Sequence, residues 1–233
     1  MITSNALPGN SQTLALVQRE SDTSDRQEMN RTILSSTLMR NISLYKLASI
    51  SGIGSAMILL VNAAKRSSLI ATTNFTQLLA PFAEVLALGL IVGLFLAFGR
   101  RTGLLGTAAF IANFVALASL EGVEVVINLV FSKLPTETIA ELRAGPLGLL
   151  LVSSSMLFLF GTFAFAVSLA IGGRVPRLPL ALYFIGAIPI ALRAFVPEWA
   201  LDLGLVVLAF AIGRLAAWLW MCVNISEPSK LSA

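Results

Sequence analysis

The stretch "LLAPFAEVLALGLIVGLFLAF", residues 78–98, carries a single charged side chain, Glu84. A run of roughly 20 apolar residues is what the ~30 Å hydrocarbon core of a bilayer demands of one helix. Backbone polar groups in lipid must be satisfied within the segment, and no alternating barrel pattern appears, so the run predicts a membrane-spanning helix. Five more runs of the same kind occupy residues 44–64, 103–131, 147–171, 178–196 and 199–223. The chain therefore reads as all-α, a polytopic integral membrane bundle of six transmembrane helices across residues 41–225.

Composition agrees. Hydrophobic residues make up 57% of the chain and charged residues 12%, with a mean hydropathy of +0.87, outside the soluble globular range. The net charge of +4 is spread singly or in pairs at the ends of apolar runs, which reads as topology and argues against nucleic acid as a partner. With no histidine anywhere, histidine-ligated haem, zinc-dependent intramembrane proteolysis and imidazole-based nucleophilic catalysis are excluded. A single cysteine, Cys222, can make no intramolecular disulfide and no cysteine metal cluster. No cofactor, metal or enzymatic activity is expected.

Residues 1–40 are polar and read as a disordered cytoplasmic tail, although Met29, Ile33, Leu34 and Leu38 form a weak amphipathic pattern. About forty residues precede the first apolar run, too many for a secretory signal, so the first span should be retained. Residues 226–233 read as a short second tail. Proline and glycine mark the cuts: Pro81 suits a first turn, Pro146 precedes the fourth span, Gly172 and Gly173 offer a C-terminal cap, and Pro197 divides the last two spans. Arg31, Arg40, Lys46, Arg100, Arg101, Arg174, Arg177 and Lys230 gather on one side, and Lys65, Arg66, Lys133 and Arg143 on the other, diluted by Glu137, Glu141 and Glu198. The positive-inside rule then places both termini in the cytoplasm.

Three short motifs carry a resemblance. "ASISGI" (residues 48–53), the Phe160-Gly161 step and "RVPRL" (residues 174–178) make the chain similar to a bacterial membrane-protein family known as domain of unknown function 4386. The likeness runs from about residue 45 to 223. It implies a compact helical bundle, a bacterial inner-membrane location and no particular activity. That family's third helix often shows Arg-x-x-Glu, whereas this chain has Glu121-x-x-Glu124, so a shared ion pair does not carry over.

The polar residues inside the spans point to a site. On a helix of 3.6 residues per turn, Asn113, Leu117, Glu121, Glu124 and Asn128 form one stripe. Glu84 and Arg193 lie near the same, outer half of the membrane, and Glu198 and Asp202, four apart, add an outer-end polar cluster. A charge at mid-membrane costs about 2.5–3.5 kcal/mol, so each demands protonation, a partner or water. Either the stripe is an intramembrane site for protons, cations or a cationic solute with Arg193 as partner or gate, or it pairs with Arg193 and holds helices together. Arg214, in the opposite half, is expected to snorkel. Gly89, Gly93 and Ala97 form a small-residue ridge for helix packing, and Trp199, Trp218 and Trp220 suit interfacial anchoring. Ser153, Ser154 and Ser155 lack a base that would make one a nucleophile.

Two functions follow. The first is a small transport or ion- or solute-binding bundle built around Glu121 and Glu124. The second is a non-catalytic scaffold or accessory subunit. Its partners are the lipid bilayer and, in the second case, another protein or a second copy.

Overall fold

The computed structural model describes residues 43–225, in which every regular element is helical. The expected tails at 1–40 and 226–233 lie outside the described residues. The helices are α1 (Ser43–Arg66), α2 (Asn74–Ala97), α3 (Gly103–Val125), α4 (Thr136–Ala144), α5 (Pro146–Ile171), α6 (Arg177–Ala191) and α7 (Glu198–Ile225). Five helical segments are long and apolar enough to cross a membrane: α1, α2, the continuous segment Gly99–Lys133 that contains α3, α5, and α7 from Glu198 to Cys222.

The expected fifth span, 178–196, is shorter than its apolar run. α6 stops at Ala191, two residues past the internal Pro189, and turns through residues 192–195. At 15 residues it reaches about 22 Å, short of the ~30 Å hydrocarbon core. The second span is displaced the other way. Thr73 caps α2 reciprocally with Thr76, so the helix starts at Asn74 and Pro81 falls inside it rather than in its first turn. α4 is an addition, a short polar helix in the loop between the third and fourth spans. The expected glycine stop does form, since α5 ends at Ile171 and Gly173 takes φ +73°, where a side chain would be strained.

The six apolar helices run alternately up and down. Gly93 of α2 meets Ala48 of α1, Gly161 of α5 meets Ala112 of α3, and Gly204 of α7 meets Pro189 of α6. At each of these glycines a Cβ would come within 2.8 Å of its neighbour, so the glycines set how closely the helices approach. Small and polar residues turn inward, among them Ala87, Ala116, Ala187, Ala216, Ser49 and Thr162, while Leu60, Phe82, Leu149, Phe160 and Phe210 face outward. That distribution suits a lipid solvent, and the fold is that of a multi-pass membrane helical bundle.

The ridge of Gly89, Gly93 and Ala97 is used within the chain. Gly89 lies against Ser51, whose hydroxyl donates to the Leu86 carbonyl at 2.7 Å, and Ala97 packs on the core. α1 thus covers the face that a homodimer would need.

Candidate functional site

The last turns of α3 are where the backbone departs from regular geometry. Residues Val126–Val130 form a π turn and Phe131–Lys133 a 3-10 turn. A local cause is visible: the Asn128 amide donates to the Glu124 carbonyl at 3.0 Å and the Ser132 hydroxyl donates to the Asn128 carbonyl at 2.6 Å. Side chains here compete for the carbonyls that a regular helix would use, which loosens the ladder.

The loosened turn sets the Asn128 amide against the side chain of Glu124. Asn128 Nδ2 donates to Glu124 Oε2 at 2.8 Å, and Arg193 Nη1 donates to Glu124 Oε1 at 2.8 Å. Lys65 Nζ donates to Asn128 Oδ1 at 2.8 Å, tying the end of α1 to α3. Beside it Arg66 pairs with Glu198 and donates through Nε to Asp202 Oδ1 at 3.2 Å, tying α1 to α7. A cation from each of α1 and the α6–α7 turn therefore meets carboxylates from α3 and α7. Both oxygens of the largely buried Glu124 are engaged, which is what a carboxylate removed from water requires.

Two cavities flank this network side by side, and a third lies deeper in the bundle. The largest, about 420 Å³, is walled by Arg66, Arg143 and Arg193, with Glu198 and apolar residues of α3, α5 and α7. The second, about 50 Å³, is reached by Glu124, Asn128, Lys65 and Asn62. Arg66, Arg193, Ile127 and Leu201 line both, so they form the partition between them. The third, about 10 Å³, is about the size of one water and is lined from all six apolar helices, by Ser55, Glu84, Leu117, Phe158, Tyr183 and Leu208 among others. From the second cavity to the third the lining shifts by seven residues on α1 (Asn62 to Ser55) and on α6 (Ile190 to Tyr183). Two helical turns separate them, about 10 Å along the bundle.

Glu84 is 8% exposed, and its Oε2 has no hydrogen-bond partner; neither does the hydroxyl of Ser55 across the same small cavity. Asn113 belongs to a separate buried group, donating to the Tyr183 hydroxyl at 3.2 Å and accepting from Thr162 at 3.3 Å. The stripe on α3 is thus divided. Asn113 sits at the bundle centre, Glu124 and Asn128 at the ion-pair network, and Glu121 is half-buried with no ion pair among the described residues. Arg193 takes Glu124 as its partner, and Glu198 and Asp202 share one cation.

Sequence reasoning read Lys65, Arg66 and Arg143 only as topological charges, and missed Asn62, Ser55 and Tyr183. The signal available was that Lys65 and Arg66 were expected at the same membrane face as the acids. Arg214 is exposed on α7, Trp199 is exposed, and Trp218 packs on Phe98 with ring centroids 4.6 Å apart. Ser155, of the serine triplet, lines the large cavity, while the Ser153 hydroxyl donates to the Leu150 carbonyl. In comparisons with family models, curated proteins and solved structures, the chain matches none.

Proposed function

We propose that this chain is a small transport or solute-binding bundle, with its site in the outer half of a bacterial inner membrane and both termini in the cytoplasm. The observation that carries the reading is the charged partition, Arg66 and Arg193 standing between a cavity of about 420 Å³ and one of about 50 Å³. A charged network across a constriction is the arrangement expected where a polar solute must leave water, because intramembrane charges are costly unless they serve a path or a partner. Arg66 and Arg193 act as the partition: held by Glu198, Asp202 and Glu124 they separate the first two cavities, and released they join them.

Six crossings fit this reading. The sixth would be α6, which runs from the Gly172 end of α5 towards Arg193 and the start of α7, and its direction supports a crossing. Kinship with the domain of unknown function 4386 is also part of the proposal; Gly52 and Gly161, two of its motif residues, serve as close-packing positions.

Cysteine accessibility tests the path. In a Cys222→Ser background, Ser155→Cys should react in intact membranes with a small charged thiol reagent, and Asn62→Cys should react only slowly. Adding Arg193→Ala should open the partition and speed the reaction at Asn62→Cys about tenfold. No change in that rate would sink the partition and the path with it.

A further inference from the structure

We propose that the large cavity receives an anionic amphiphile, a phosphate or carboxylate head carrying an apolar tail. This rests on the reading of the cavity as a ligand site and goes further by naming the chemistry of the ligand. The wall carries three guanidinium groups, Arg66, Arg143 and Arg193, against one carboxylate, Glu198, which Arg66 already holds. The carboxylates that balance Arg193 and complete the pairing of Arg66, Glu124 and Asp202, do not line this cavity.

Arg143 supplies the uncompensated charge. Its guanidinium lies 5.4 Å from the centre of the Phe131 ring, and among the described residues it makes no salt bridge. The aromatic face holds the group in place by a cation–π contact and leaves its edge donors open. Arg193 bonds Glu124 through Nη1, and no other hydrogen bond of its guanidinium forms among the described residues. Five N–H donors on each planar group suit a bidentate grip on a phosphate or carboxylate. A cation placed here would instead face three guanidinium groups against the one carboxylate of Glu198, which Arg66 holds.

Apart from Ser155, the rest of the wall is apolar. Val123, Ile127, Leu151, Met156 and Leu201 lie behind the arginines, and Phe195 stands at the rim, 79% exposed. A volume of about 420 Å³ lies within the usual range for small-molecule sites and exceeds what a bare inorganic anion needs. An apolar tail passing over Phe195 would continue into the bilayer. The head could come from a membrane phospholipid or from a soluble amphiphile, and the chemistry is the same for both.

The test uses the whole chain in nanodiscs of zwitterionic phosphatidylcholine, with labelled dodecyl phosphate, dodecyltrimethylammonium and inorganic phosphate as probes and empty nanodiscs as blanks. Saturable binding of dodecyl phosphate is expected, with inorganic phosphate and the cationic amphiphile each at least about tenfold weaker. Arg143→Gln, an exposed position whose change should not affect folding, should weaken dodecyl phosphate binding about tenfold, as loss of one charge-assisted bond would. Adding phosphatidylglycerol to the disc distinguishes the source: competition assigns the head to a lipid, and its absence assigns it to a soluble amphiphile. Equal or tighter binding of dodecyltrimethylammonium overturns the anion assignment and leaves the cavity as a ligand site. Saturable binding of neither amphiphile overturns both.

Discussion

Glu124 and Arg193 are the residues on which the site turns. Their pairing was legible in outline, because a carboxylate and a guanidinium in apolar runs at the same membrane depth each need a partner. Which of Glu121 and Glu124 would take Arg193 was not legible, since residues three apart differ by only about 60° around a helix. Packing and the π turn decide it, by presenting Glu124 to Arg193 and Asn128 together. Removing one member of a buried pair leaves the other charge stranded and typically costs about 3–5 kcal/mol. Because the Arg193 side chain retains 21% exposure, Arg193→Gln should cost about 3 kcal/mol or slightly less. Glu124→Gln keeps an acceptor for Arg193 but sets an amide donor against the Asn128 donor, and should cost less, about 1–2 kcal/mol. Unfolding midpoints in mixed micelles measure both, and equal losses would show that the charge of Glu124 contributes as much as that of Arg193.

At the scale of elements, the apolar runs were read with ends that local chemistry then moved. The Thr73–Thr76 capping box starts α2 earlier than hydropathy does, and Pro189 ends α6 earlier. Hydropathy reports how apolar a residue is and says nothing about where its backbone hydrogen bonds end. The α6–α7 hairpin depends on a closer fit. A Cβ at Gly186 would lie 2.7 Å from the Leu208 backbone nitrogen, and one at Gly204 would lie 2.3 Å from Pro189. Backbone cannot swing aside as a side chain can, so Gly186→Ala should cost about 1–3 kcal/mol of overpacking strain. Gly122→Ala is the control, with nothing within 4 Å of the added carbon, and should be neutral or slightly stabilising. A Gly186→Ala protein as stable as its parent would mean that α6 and α7 sit farther apart.

For the whole molecule, the innermost cavity exists only because six helices converge on it. Ser55, Glu84, Leu117, Phe158, Tyr183 and Leu208 come from six different helices and meet around about 10 Å³. No spacing within one run could announce that meeting. At 15 residues, α6 would cross the hydrocarbon core only where the bilayer thins or the flanking turns sink into it. Single cysteines at Gly173 and Phe195, again with Cys222→Ser, should be labelled by an impermeant reagent from opposite sides of sealed membranes. Lys133→Cys should be labelled from the same side as Phe195→Cys. Labelling of Gly173→Cys and Phe195→Cys from one side would make α6 a re-entrant segment.

The sequence by itself determined the solvent: runs this long and apolar, with few charges inside them and no alternating barrel pattern, have to fold as helices in lipid, because there the backbone must satisfy its hydrogen bonds within the segment. It also determined that Glu84, Glu124 and Arg193 would need partners or a path. Only the tertiary structure decided which received which. Arg193 closes on Glu124, Arg66 on Glu198 and Asp202, and Glu84 stays on a cavity with an unpartnered oxygen. The physical reason is that partner choice depends on the rotation and closeness of helices remote in sequence, set here by glycines at their crossings and by one side-chain-loosened turn.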